Sequence, residues 1–290
     1  MNTKISFKDK WHKNPDLAFS QTLDPKSEIH QWIMQRNGWF NVQGMRECLK
    51  NRSRVLDAGC GNGRVTALFR ENSEVDSTEI IGIDLVAAKV AEANLEGARN
   101  TQFYQKDLLD DLTDLGQFDY IYSQEVLHHT ADPQQAFRNL VEILAKNGDI
   151  SIYVYKVKSP IREYTDDYLR NIISEMNYED AMLTSTNIAK LGKVLSDLDL
   201  EIEVPAIPEL GIESGKQNLQ RFIYNHFFKC FWNNDLSVED NAVVNYDWYH
   251  PQLASRHTLE EIEGWFRTEE LEITRAYEDP YGITVSGRRT

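Results

Sequence analysis

Val55-Leu56-Asp57-Ala58-Gly59-Cys60-Gly61-Asn62-Gly63-Arg64 reads as a buried strand that breaks into a glycine-rich turn and then a helix. In an α/β sheet such a turn lets the backbone approach a nucleotide-sized ligand, because glycine adds no side chain and tolerates left-handed backbone. The glycines fall as G-x-G-x-G. A dinucleotide fingerprint wants its third glycine three residues beyond the second, and Arg64 stands there, so the turn departs from the NAD pattern.

From Arg54 to about Lys156 strand and helix patterns alternate, which favours a parallel sheet joined by crossovers. Strands are expected at 54–58, 79–84, 101–106, 118–123 and 149–156, and helices near 64–72, 87–98 and 133–146. The last helix carries Ala136, Phe137, Leu140, Val141 and Leu144 on one stripe, opens at Asp132-Pro133 and closes at Asn147-Gly148. Near the C-terminus, 259–266 reads as a helix and 271–276 and 282–288 as strands. The short turn Asp279-Pro280-Tyr281-Gly282 makes those two strands an antiparallel hairpin.

Upstream lies a polar arm with Phe7, Trp11 and Phe19. It leads into a helix with Asp24 as N-cap, Pro25 at its first position, Ile29, Trp32 and Ile33 on one face and Gly38 beyond its end. Residues 157–255 break the alternation and read as a mainly helical insertion. One stripe there holds Tyr168, Ile172, Ile173 and Met176, another Leu219, Phe222, Ile223, Phe227, Cys230 and Phe231, and Val204 to Gly211 reads as an extended loop.

Composition bounds the function. A net charge of −15 with Lys and Arg scattered opposes binding to a polyphosphate backbone, so no nucleic-acid partner is expected. Apolar residues at 41% and aromatics at 11% are those of a folded globule. Cys48, Cys60 and Cys230 have neither C-x-x-C spacing nor a histidine motif, so no metal site is expected and free thiols suit a cytoplasmic protein. No signal-peptide core or apolar run long enough for a bilayer is found, hence no membrane partner.

The run D-A-G-C-G-N-G, with Asp57 two residues before the first glycine, resembles motif I of the class I S-adenosylmethionine (SAM)-dependent methyltransferases. Asp84 at the end of the second strand, Asp107 after the third, Leu127-His128-His129 after the fourth and the terminal hairpin extend that resemblance to the ubiquinone-biosynthesis-like small-molecule group. It covers about 54–156 and 258–290; the arm and the insertion match loosely.

The resemblance implies a doubly wound α/β fold: a mostly parallel seven-stranded sheet ending in an antiparallel hairpin, with a helical insertion and an N-terminal helical arm. The corresponding organisation is 1–50 as arm and lid, 51–156 as SAM-binding core, 157–255 as substrate cap, and 256–290 as the last core helix and hairpin. It implies transfer of a methyl group from SAM to oxygen or nitrogen of a small-molecule acceptor, leaving S-adenosylhomocysteine.

The cofactor would meet Gly59, Cys60 and Gly61 of the turn, Asp57 orienting that turn and meeting the amino group, and Asp84 with Leu85 at the ribose. Asp107 with Leu108 would serve the adenine, Ser123 and Gln124, with Glu125, the methionine moiety, His128 the adenosine, and Trp11 the arm's contact. Catalytic candidates are His257 and His129 as general base, since imidazole titrates near neutral pH, and Tyr249 as a positioning group. His257 lies in an arginine-histidine-threonine run, where Thr258 and Glu261 also form a capping box. Lys156, Lys158, Arg162 and Arg221 stand where an anionic acceptor could be met, and His250 is a weaker catalytic candidate. Two rival readings are a SAM-binding regulatory or scaffold protein without turnover and, disfavoured by Arg64 and the hairpin, an NAD-dependent oxidoreductase; a homo-oligomeric state is compatible with any of them.

Overall fold

The computed structural model describes residues 2–290. The chain divides into two compact units. One comprises Trp11–Lys156 with Leu253–Thr290, the other the N-terminal residues through Lys10 with Val157–Gln252.

In the first unit the strands are β1 (Arg54–Ala58), β2 (Glu79–Asp84), β3 (Thr101–Gln105), β4 (Phe118–Gln124) and β5 (Leu144–Tyr155). The second unit holds β6 (Glu201–Val204) and β7 (Gly215–Asn218), and the chain ends in β8 (Leu271–Glu278) and β9 (Gly282–Arg289) of the first. Seven strands form one sheet in the order β3-β2-β1-β4-β5-β9-β8. The first five run parallel, and β9 enters antiparallel between β5 and β8. The fold is therefore the expected doubly wound sheet with a terminal hairpin. Strand order reverses between β1 and β4, the switch point where such sheets open a crevice at their carboxyl edge.

The two-residue period of the strands divides their side chains between two apolar layers. Val55, Ile80, Tyr120 and Tyr122 face a layer with Ile33, Met34, Trp39, Met45, Leu68 and Phe69. Leu56, Ile81 and Ile121 face the other, with Ala136, Phe137 and Leu140 of helix Pro133–Glu142 and Ile262, Trp265 and Phe266 of helix Leu259–Thr268.

Two local readings need correction. The helix Glu28–Arg36 is capped by Ser27, whose hydroxyl accepts from Ile29 N–H at 3.1 Å, while Asp24 caps the preceding turn by accepting from Lys26 N–H. Helix Pro133–Glu142 stops short of 146 because β5 begins at Leu144. The extra residues are absorbed where the β4–β5 register slips, between Phe118↔Leu144 and Tyr120↔Asp149, with Asn147 in left-handed backbone at φ 62°. The arm is helical, as expected, over Asn2–Lys13 and Phe19–Leu23.

The second unit packs helices Pro160–Ile173, Tyr178–Asp197, Leu219–His226 and Val238–Tyr249 beside the β6–β7 hairpin. Tyr168 and Ile172 point outward, contrary to the expected stripe. The helix instead buries Arg162, Asp166 and Arg170, because their charges are satisfied inside. Asp166 accepts from Arg162 Nε at 2.5 Å, Trp248 Nε1 at 2.9 Å and the Tyr249 hydroxyl at 2.9 Å, and Arg170 donates to the Trp248 carbonyl. The buried bonds that join Asp166 to Arg162, Trp248 and Tyr249 hold one arrangement strongly, since losing any of these members strands the others.

Phe137 is fully buried against Phe266, ring centroids 4.8 Å apart, and joins two helices over one face of the sheet. Phe137→Ala should cost about 3–5 kcal/mol through lost burial and the cavity left behind. Urea denaturation checks this, and a loss below about 1 kcal/mol would mean that the layer repacks.

Candidate ligand site at the carboxyl edge

The site begins with the backbone of the turn. Gly59 and Cys60 donate their N–H groups to the Ile83 carbonyl at 2.7 and 3.0 Å, so the end of β2 holds the turn after β1. Gly61 N–H donates to Asp84 Oδ2 at 3.0 Å, and Val86 and Ala87 N–H both donate to Asp84 Oδ1 at 2.8 Å. Gly59 and Gly61 adopt φ 86° and 55°, which side chains resist. A Cβ on Gly59 would lie 2.2 Å from a Val126 methyl carbon, and one on Gly61 would lie 2.7 Å from the Trp11 ring.

Trp11 thus sits on the turn. The arm is further tied by Asn62, a buried residue whose role the sequence did not disclose. Its amide donates to the carbonyls of Pro15 and Leu17 at 2.9 and 3.1 Å, and Asn94 donates to Pro15 as well. His12 Nε2–H donates to the Val86 carbonyl at 3.0 Å.

Asp57 is buried and accepts from the Thr66 hydroxyl at 2.6 Å. Burial pushes its carboxyl up to about 7; the Thr66 hydrogen bond opposes that rise, and the neighbouring charge of Asp84 adds to it. Asp57 therefore orients the first turn of helix Arg64–Glu71. Cys60 is buried beside Gly82, its thiol pushed up by burial, so it is packing rather than a nucleophile. Lys106 N–H donates to the Asp84 carbonyl, which places Asp107 next outward along the same edge. Asp107 accepts from Leu109 N–H, Leu85 is half-buried, and Leu108 is buried.

At the end of β4, Ser123 gives its hydroxyl proton to the Ala58 carbonyl at 3.0 Å and Gln124 donates to Asn37 Oδ1 at 2.6 Å. Glu125 follows in left-handed backbone at φ 62°. His128 stacks on Tyr155 with centroids 3.6 Å apart and accepts from Tyr155 N–H. That puts it at β5, with β4, β1 and β2 between it and the strand end bearing Asp107, the residue with which it was expected to share the adenosine.

His129 donates from Nδ1 to the Leu253 carbonyl at 2.6 Å. His257 donates from Nδ1 to Glu261 at 2.8 Å, which leaves Nε2 to accept the Ser255 hydroxyl at 2.8 Å. Ser255 N–H in turn donates to the His128 carbonyl, so the two histidine segments are joined.

Tyr249 belongs to the other unit, where its hydroxyl proton is committed to Asp166 and its pKa is raised by burial and by that carboxylate. Arg162 is likewise consumed by Asp166 and the Tyr224 carbonyl. His250, stacked on Tyr246, bonds Ser6 and the Met176 carbonyl. Lys156 pairs with Glu278 at 2.6 Å. Among the described residues no cluster of His, Cys, Asp and Glu could hold a metal ion, and no helix is long and apolar enough to cross a membrane.

A family model for a methyltransferase domain matches residues 49–223. A tRNA U34 carboxymethyltransferase of Alteromonas mediterranea is 27% identical over 170 residues, 47% of this chain and 51% of that protein. A juvenile hormone acid O-methyltransferase of Bombyx mori is 36% identical over 99 residues, 33% of this chain and 36% of that protein. A ubiquinone biosynthesis O-methyltransferase of Bordetella parapertussis is 32% identical over 132 residues, 43% and 52% of the two chains. The chain thus spans 36% to 52% of the length of these curated relatives.

Gly61→Val should abolish nucleoside binding with the fold intact, since the branched side chain would strain the backbone and displace Trp11. Calorimetry with S-adenosylhomocysteine decides it, and retained affinity removes the turn from the site. For Asp57, a folded-state pKa of about 7 lies above the roughly 3.9 of an unfolded chain, so its contribution to stability is lost as pH rises from about 4 to about 7. Denaturation of the ligand-free protein should show a smaller loss over that window in Asp57→Asn. Identical profiles would place the Asp57 pKa at its ordinary value.

Proposed function

The chain belongs to the methyltransferase domain family, and from that membership we propose that it transfers a methyl group from S-adenosylmethionine to a small-molecule acceptor. The observation that carries the reading is the convergence of the glycine turn, Trp11 and Asp84 at the switch point of the sheet. Bound there, the donor would supply a methyl group activated on a positively charged sulfur.

The residues present fit such a group. A Cβ at Gly59 or Gly61 would strike Val126 or Trp11, so the turn keeps bare backbone between these side chains. Charged groups around the turn are predominantly acidic, with Asp57 and Asp84 close enough to influence one another, which favours a cation over a phosphate. Asp84 would accept from ribose hydroxyls and Asp107 from the adenine amino group. Trp11 would exclude water from the turn.

The histidines supply a proton acceptor if the acceptor is a hydroxyl. His129 keeps its Nδ1 proton on the Leu253 carbonyl, which makes Nε2 the basic nitrogen. His257, oriented by Glu261, takes protons through Ser255. The −15 net charge supports a small acceptor over a nucleic acid, although one relative carries a tRNA-modifying name.

Asp84→Ala should weaken S-adenosylhomocysteine by about 1.5–3 kcal/mol, the scale of a lost charged hydrogen bond. Calorimetry read beside a melting curve checks it, and an unchanged dissociation constant moves the ribose elsewhere. An extract screen with methyl-labelled donor identifies the acceptor. With it, His129→Ala or His257→Ala should lower turnover by about 100-fold or more with donor affinity nearly unchanged. Full turnover in both across the pH range would mean that neither is a base and that transfer proceeds by alignment.

A further inference from the structure

Helix Tyr178–Asp197 of the second unit is amphipathic the wrong way round. Its buried face is made of the small residues Ala181, Ser185, Ala189 and Gly192, and the last lies so close to the Cys230 carbonyl that a Cβ there would stand 2.5 Å from the oxygen. Its large apolar side chains point outward. Leu183, Leu191 and Val194, with Leu198 at the helix end, are 63%, 44%, 59% and 59% exposed, and their spacing puts them on one stripe of about 22 Å. Leu200 extends the patch past the helix end. A contiguous apolar face of this kind marks a contact surface, where scattered exposed leucines would not.

The order of residues along the stripe says what covers it. Leu191 lies three residues before Val194 and Leu198 four after it, while Lys190 lies four before and Asp197 three after. Lys190 and Asp197 each directly precede a leucine of the stripe, so both flank it on the same side. Two such helices laid antiparallel about a two-fold axis at Val194 bring each Leu191 against Leu198 of the other copy and each Lys190 against its Asp197. The face is therefore complementary to itself in shape and in charge, as a two-fold contact requires.

We propose that this face is the seat of a second copy of the chain, joined through helix Tyr178–Asp197 in that antiparallel register. Each copy carries a net charge of −15, but repulsion between distant charges is screened beyond about 8 Å at physiological salt, and the Lys190–Asp197 contacts are local. One helix pair is small for a stable interface, so the association is reversible and depends on concentration.

Sedimentation equilibrium of the full chain at about 0.15 M salt tests the pairing. The average mass should rise from one chain toward two with concentration. Val194→Lys puts two charges together on the axis and should keep the protein monomeric, with its melting temperature unchanged because the site is exposed. Lys190→Asp and Asp197→Lys each set like charges together and should each raise the dissociation constant by about 10-fold. Mixing those two variants should restore association to within about twofold of wild type, because in the mixed dimer both contacts again join opposite charges. A mixture no tighter than its components overturns the register, and a dimer indifferent to Val194→Lys overturns the face. Wild-type protein that stays monomeric throughout overturns the pairing, and cosedimentation of that monomer with phosphatidylcholine vesicles would give the stripe to a lipid surface instead.

Discussion

Three backbone amides converge on one carboxylate: those of Gly61, Val86 and Ala87 on Asp84. The turn after β1 has the shape it has because the end of β2 dictates it, through Asp84 and through the Ile83 carbonyl. Asp84 is thus the clamp of the turn, and left-handed backbone at Gly61 brings that residue's amide to it. Trp11 and Asn62 then seat the arm on a surface that is already rigid.

The opposite flank of the switch point depends on the chain's far end. Asp279 accepts from the N–H groups of Tyr281 and Gly282 at 2.7 Å and shapes the turn between β8 and β9. Its other oxygen takes the Trp32 indole proton at 3.4 Å, and Trp32 lies against Arg36. Burial works against charge on Arg36, but the carboxylates of Glu125 and Asp279 and the hydroxyls of Tyr122 and Tyr153 outweigh it, and the net shift is upward. Tyr122 is pushed by burial to about 12, the Arg36 charge pulling it back. The terminal hairpin therefore does more than close the sheet: it supports a buried cation beside the ligand site.

How much of this was legible follows from where the information lies. The glycine turn, the strands and the hairpin could be read because each is local: apolar alternation, a helix signal and a turn tetrad within a dozen residues. Asp84 could be placed because it ends a strand. Arg36 could not, since its surroundings come from Trp32, Gln124, Glu125, Tyr153 and Asp279, and nothing near Arg36 announces them. Helix Pro160–Ile173 was misread for the opposite reason. Its apolar stripe is real, but the buried face is chosen by an arginine–aspartate network completed by Trp248 and Tyr249. His128 lies on Tyr155, far from the strand end bearing Asp107, because stacking and a β5 amide fix it there.

The electrostatics of the turn bear on ligand class more directly than any single contact. Burial pushes the Asp57 carboxyl up to about 7, and the neighbouring charge of Asp84 adds to that rise, so the two carboxylates share one acidic corner under the turn. A phosphate would meet the reverse: carboxylates that repel it, with the Gly61 amide already given to Asp84. The cation that the molecule does place nearby, Arg36, is set between aromatic faces on the β4 side, away from Asp84. Two carboxylates under the turn and one enclosed positive charge across the switch point leave this edge of the sheet without a cradle for phosphate. That pattern, more than the glycines, separates this site from one built for a dinucleotide.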